Sequence, residues 1–253
     1  MLLAASALKR ARGWSNEMKE TKQIIDFISG RNVPATPEEI HSTQVFTQLL
    51  VEDYGYPKTH MRTRPQWHVK AAPSDKKNKY PVDIAVFSGD HHQDDDLYIV
   101  VECKAPTRKD GLRQLEDYLR LSRAVLGVWF NGAEKLFIQK IETRKGVSFR
   151  EIPNIPKFGE RIEDVGLYRR KNLSPARNLK SIFRTMRNYL AANAIGVTRD
   201  EVFAQQIINL IFCKIYDERF TKPEDIVKFR AGVGERKSDV AKRIYSIFDN
   251  VRK

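Results

Sequence analysis

The sequence predicts an α/β domain built on one mixed sheet flanked by helices, followed by a small all-α domain. Three observations carry this prediction. Apolar residues alternate with period two in several runs between residues 82 and 152, and one amphipathic helix interrupts them. A connector with Pro153, Pro156 and Pro175 closes that region. Beyond Pro175 the alternation stops and apolar residues recur at helical spacing.

The elements follow in chain order. Met1–Leu8 is mildly apolar and precedes Lys9, Arg10 and Arg12, the reverse of a secretory signal. Residues 1–20 read as a surface helix or a frayed leader rather than a targeting peptide, and residues 1–35 are expected to form an N-terminal helical leader. Thr36-Pro37-Glu38-Glu39 opens a helix, with Thr36 as cap, Pro37 in the first turn and Glu39 three residues after the cap. Val45, Phe46, Leu49, Leu50 and Tyr54 continue it to Gly55. In Val82–Phe87 the residues Val82, Ile84 and Val86 share one face and Asp83 the other. In Leu97–Lys104 the residues Leu97, Ile99, Val101 and Cys103 share one face, Glu102 and Lys104 the other. Gly111–Arg123 reads as a helix with Leu112, Leu115 and Leu119 on its core stripe. Val125–Phe130, Leu136–Ile141 and Val147–Ile152 are three further strands, the first two joined by an Asn131-Gly132 turn. Three helices follow, around Leu179–Leu190, Val202–Tyr216 and Asp239–Phe248.

Composition narrows the function classes. At 41% hydrophobic and 30% charged, the chain has enough apolar material for a buried core. No run approaches the ~20 apolar residues of a membrane helix, so a membrane role is not expected. The two cysteines, Cys103 and Cys213, fit no zinc spacing and read as core residues of a reduced, cytoplasmic protein. A formal charge of +13 points to a polyanionic partner. Pro57–Tyr80 holds seven Lys/Arg and one acid, and Gly166–Leu190 holds seven Lys/Arg and none. A phosphate track over these segments would use Lys58, Arg62, Arg64, Arg169, Arg170, Lys171, Arg177, Lys180 and Arg184. A merely solvated face is the competing reading. No Walker motif is present, so no nucleotide-cofactor site is expected in this chain. The His91, His92 and Asp94–Asp96 cluster reads as a solvated loop, and Trp67 and Trp129 as packing residues.

The residues that carry chemistry are Asp83, Glu102 and Lys104. Two adjacent strands bring one carboxylate each to a common face, and the Cys103 carbonyl lies between Glu102 and Lys104. Such oxygens suit Mg²⁺, with Mn²⁺ as a substitute. A bound ion would polarise a phosphodiester and activate water, and Lys104 would orient that water or neutralise growing charge. The competing reading is a buried ion-pair network.

Pro81-Val82-Asp83 followed by Glu102-Cys103-Lys104 resembles the signature of PD-(D/E)XK nucleases, although Val82 separates residues that are adjacent in the family's short motif. Gln114 and Tyr118, four apart on the next helix, resemble the QxxxY element of type I restriction and RecB-like nucleases. The run YIVVECKAP…DGLRQLEDYL…GVWFNG is most similar to the N-terminal nuclease domain of type I restriction enzyme R subunits, over residues 36–152. The resemblance implies a restriction-endonuclease-like fold and Mg²⁺-dependent cleavage of double-stranded DNA. It implies metal ligation by Asp83 and Glu102, catalysis by Lys104, and positioning by Gln114 and Tyr118. An additional acid on the first helix would be Glu39. Residues 179–220 resemble the N-terminal helical domain of N6-adenine DNA methylases, without their catalytic motif. This implies methylase and specificity subunits or domains as partners, a dimer for double-strand cleavage, and a piece of a longer nuclease–methylase polypeptide. The expected boundaries are 1–35 for the leader, 36–160 for the nuclease domain, 161–175 for a basic connector and 176–253 for the helical domain.

Overall fold

The structure is a computed structural model that describes residues 22–70, 79–175, 179–193 and 200–252. Its centre is a six-stranded mixed sheet with helices on both faces, followed by a helical region, as the sequence predicts. The chain opens with a hairpin of β1 (Gln23–Ile25) and β2 (Asn32–Pro34). This corrects the helical leader over residues 22–35; residues 1–21 lie outside the described part. Strands this short carry no readable alternation. The turn between them is fixed by the buried Asp26, whose carboxylate accepts from Ser29 N–H at 2.7 Å and from the Thr63 hydroxyl at 2.8 Å.

Thr36 caps the next helix, its hydroxyl accepting from Glu39 N–H at 3.1 Å. The helix begins with a π-helical turn, Glu39–Thr43, and continues as α1 (Gln44–Glu52). Then come β3 (Met61–Thr63), β4 (His68–Lys70), β5 (Lys79–Pro81), β6 (Ile84–Phe87) and β7 (Leu97–Cys103). Helix α2 (Leu112–Leu121) crosses over to β8 (Leu126–Phe130), which runs parallel to β7. β9 (Lys135–Thr143) and β10 (Gly146–Ile152) complete an antiparallel meander. The sheet order is β10-β9-β8-β7-β6-β3, and β4 and β5 pair separately. β3, β4 and β5 leave no periodic signal in the sequence because each is only three residues long and lies in the basic stretch.

Two apolar layers sandwich the sheet. Phe46 and Leu50 of α1 pack with Ile84, Val86, Ile99, Val101 and Cys103 on one face. Leu115, Tyr118 and Leu119 of α2 pack with Ala85, Val100 and Trp129 on the other. Val82 and Leu97 belong to this second layer, against the expected faces, because Val82 precedes the ladder and the register shifts between Val86 and Phe87. Leu112 is exposed at the start of α2 and leaves the core stripe to Leu115 and Leu119. The helical region contains α3 (Leu179–Asn193), α4 (Asp200–Phe220) and α5 (Lys237–Val251). Among the described residues no helix is long and apolar enough to cross a membrane.

Candidate active site

The antiparallel register sets Ile84 opposite Val101. Carried one residue on, it brings Asp83 opposite Glu102 at the end of the strand pair. Alternation along β7 turns Val100, Glu102 and then Lys104 towards α2, while Cys103 points into the α1 layer. All three polar side chains are nearly buried: Asp83 at 5%, Glu102 at 1% and Lys104 at 8% exposure. The sequence-predicted trio therefore meets in one place.

Each group is held differently. Asp83 Oδ2 accepts from the Cys103 N–H at 2.8 Å, and its Oδ1 lies 3.6 Å from Arg64 Nη1. Lys104 Nζ donates to Glu102 Oε1. Glu102 Oε2 is buried and has no hydrogen-bond partner. An unpartnered carboxylate oxygen is costly in a protein interior. It is an open donor position for a cation, and so fits a divalent metal shared with Asp83. Among the described residues no group of three His, Cys, Asp or Glu side chains is arranged to hold a metal. The Cys103 carbonyl, between Glu102 and Lys104 in the chain, is a backbone oxygen that could join them.

The electrostatics follow from the burial. Desolvation, reinforced by the charge of Asp83, pushes the Glu102 carboxyl up to about 7 against the pull of Lys104. Desolvation also raises Asp83, against the Cys103 N–H and the charges of Lys104 and Arg64. Burial opposes the charge on Lys104, but the Glu102 carboxylate outweighs it and holds the ammonium above its usual range.

The QxxxY helix forms the neighbouring wall. Tyr118 donates its hydroxyl hydrogen to the Pro81 carbonyl at 3.0 Å, and Gln114 Nε2 donates to the Tyr118 oxygen. Burial pushes the Tyr118 phenol up to about 12, so it stays protonated at neutral pH. This pair thereby steadies the segment that leads into Asp83.

Several residues at the site escaped the sequence. Glu38 is the first-helix acid whose charge acts on Asp83, Glu102 and Lys104 together. Glu39 lies near Asp83 too, but its Oε1 accepts from Gln44 Nε2 at 2.6 Å. The π turn inserts a residue between the acids and the apolar stripe, so the stripe's spacing does not reveal which acid faces the site. The same turn places Ser42, whose hydroxyl donates to the Lys104 carbonyl at 2.6 Å. Gly111 covers Lys104: a Cβ there would lie 2.5 Å from Lys104 Cε, and its φ is +100°. The loop before it is pinned by Trp129 Nε1, which donates to the Asp110 carbonyl at 2.7 Å, and by Asn131, which donates to the Arg108 carbonyl at 2.9 Å.

The basic candidates are scattered. Arg64 is at the site. Lys58 donates to the Phe27 carbonyl at 2.9 Å, and Arg62 lines a notch with Ser29 and Arg31. Arg169 and Lys171 engage Glu224, and Arg170 donates to the Glu218 carbonyl. Lys180 and Arg184 are exposed on α3, and Arg177 lies outside the described residues.

Residues 37–156 match the family model of the type I restriction enzyme R protein N terminus. That segment contains the first helix, the whole sheet and every residue of the acid–lysine site. No curated protein matches the chain.

Proposed function

We propose that this chain is the cleavage module of a restriction-modification system, a Mg²⁺-dependent endonuclease that hydrolyses DNA phosphodiester bonds. The observation that carries the proposal is the buried Asp83–Glu102–Lys104 set with Glu102 Oε2 unpartnered. It lies inside the segment that matches the type I restriction enzyme R protein N terminus. Asp83, Glu102 and the Cys103 carbonyl would hold Mg²⁺ or Mn²⁺, and Glu38 stands where its carboxylate adds to their field. A bound ion supplies polarisation of the phosphate and acidification of water. Lys104 holds its proton as an ammonium aimed at developing negative charge. Arg64 is a second cation beside Asp83, placed to receive a phosphate oxygen. Gln114 and Tyr118 fix the strand end on which Asp83 sits.

The basic excess supports double-stranded DNA as the substrate, and the reduced, buried Cys103 and Cys213 support a cytoplasmic setting. Methylase and specificity subunits, and a second copy for cutting both strands, complete the proposed assembly; the helical region is the proposed contact to the methylase. A second reading, a DNA-binding or docking module without chemistry, is favoured by the ion pair that occupies one oxygen of Glu102. Plasmid nicking separates the two. Asp83→Asn and Lys104→Gln keep the volume of the side chains and should each lower Mg²⁺-dependent nicking at least about a thousandfold. Nicking equal to that of the unaltered protein would end the nuclease reading.

A further inference from the structure

We propose that the groove between α2 and β5 receives an unpaired nucleobase of a DNA strand bound at the acid–lysine site. The proposal deepens the nuclease reading and rests on it. The groove has a volume of about 450 Å³, and Tyr118 and Gln114 form the wall it shares with the site. The Tyr118 hydroxyl donates to the Pro81 carbonyl, two residues before Asp83, which sets the groove beside the strand end that carries the site. Tyr80, Arg113 and Asp117 line the groove and take no part in the chemistry described above.

Their chemistry matches a base. Tyr80 is 44% exposed and stands on β5, where it pairs with Val69 of β4. An exposed aromatic face is a stacking surface for any base. Leu121, also exposed, adds an apolar floor. Arg113 and Asp117, four apart on α2, line the groove and offer a guanidinium to a phosphate and a carboxylate to an exocyclic amino group. Arg120 is engaged over the Phe149 ring at 4.7 Å, so Arg113 is the cation left for the ligand. Bases inside a duplex are stacked on one another and cannot reach such a surface; a base in a flap or unwound end can.

The test compares a blunt duplex with the same duplex carrying a short single-stranded flap, with 2-aminopurine in the flap. Binding is read with the full chain in EDTA, so that no cleavage contributes. The unaltered protein should prefer the flap and quench the 2-aminopurine. Tyr80→Ala should weaken flap binding on the order of tenfold, abolish the quenching and leave blunt-duplex binding within about twofold. Tyr80→Trp should restore both signals. Equal binding of flap and blunt duplex by the unaltered protein, or Tyr80→Ala weakening both alike, overturns the groove proposal alone. Failure to bind either DNA overturns the nuclease reading with it.

Discussion

Arg64 and Gly111 show how much the site depends on single residues outside the acid–lysine set. Arg64 neutralises Asp83 from 3.6 Å while more than half its side chain is exposed. In the nuclease reading a divalent ion competes with that cation, whereas a phosphate recruits it. Arg64→Ala should therefore have effects of opposite sign. Mn²⁺ binding, followed by calorimetry, should tighten about two- to fivefold, the modest value a solvent-screened pair allows. Mn²⁺-dependent nicking should fall at least about tenfold. If both quantities move together, the competition is absent. Gly111 is a purely steric requirement. Gly111→Ala places a methyl group against Lys104 Cε at a backbone angle that disfavours side chains. Nicking should fall about a hundredfold, and stability by about 2 kcal/mol. Gly89→Ala, with nothing within 4 Å of the added carbon, is the matched control and should be neutral.

At the scale of elements, what the sequence revealed is what two-sided burial writes into it. β6 and β7 are read easily because α1 covers one face and α2 the other, so nearly every position is apolar and the polar exceptions, Glu102 and Lys104, stand out. Gln114 and Tyr118 are legible for the same reason, since they follow that strand on a helix whose Leu115 and Leu119 mark the face packed on the sheet. The β1–β2 hairpin, the β4–β5 pair and the π turn were not legible. They are specified by side-chain contacts across long sequence gaps, such as Asp26 with Thr63 and Gln44, rather than by periodicity. The loop before α5 is specified in this way too. Glu235 accepts from Gly232 N–H at 3.0 Å and pairs with Arg243, which in turn donates to the Arg230 carbonyl at 2.8 Å. The loop lies against the connector, where a Cβ on Gly166 would meet the Ala231 carbonyl oxygen at 2.0 Å. The Arg243 guanidinium holds the Glu235 carboxyl down to about 2, against an ordinary value of 4.5. A depressed carboxyl stabilises the fold fully above the unfolded value and loses that contribution as pH falls towards the folded one. Glu235→Gln should cost about 1–2 kcal/mol at pH 7, a fall of roughly 2–6 °C in melting temperature. The difference should shrink below pH 4.5 and vanish near pH 2; a constant difference across that range would deny the ion pair its role.

For the whole molecule, the net charge of +13 does not tell which cations are available to DNA. Arg169, Arg170 and Lys171 look in sequence like a phosphate track, yet their side chains hold the connector to the end of α4 and the loop after it through Glu218 and Glu224. A run of like charges cannot reveal this, because the partners lie some fifty residues further along the chain. Arg64, Arg62, Arg113, Lys180 and Arg184 remain as candidates for phosphate contact. If four or five of them bind, log K should fall against log salt with a slope of about −4, at −0.9 per contact. Replacing Arg169, Arg170 and Lys171 together by Gln should lower the melting temperature and leave that slope unchanged. Replacing Arg62 and Arg64 should reduce its magnitude by about 2. The reverse pattern, a slope that flattens with the 169–171 replacement and ignores Arg62 and Arg64, would move the DNA path from the sheet edge beside Asp83 to the connector and detach the +13 charge from the acid–lysine site.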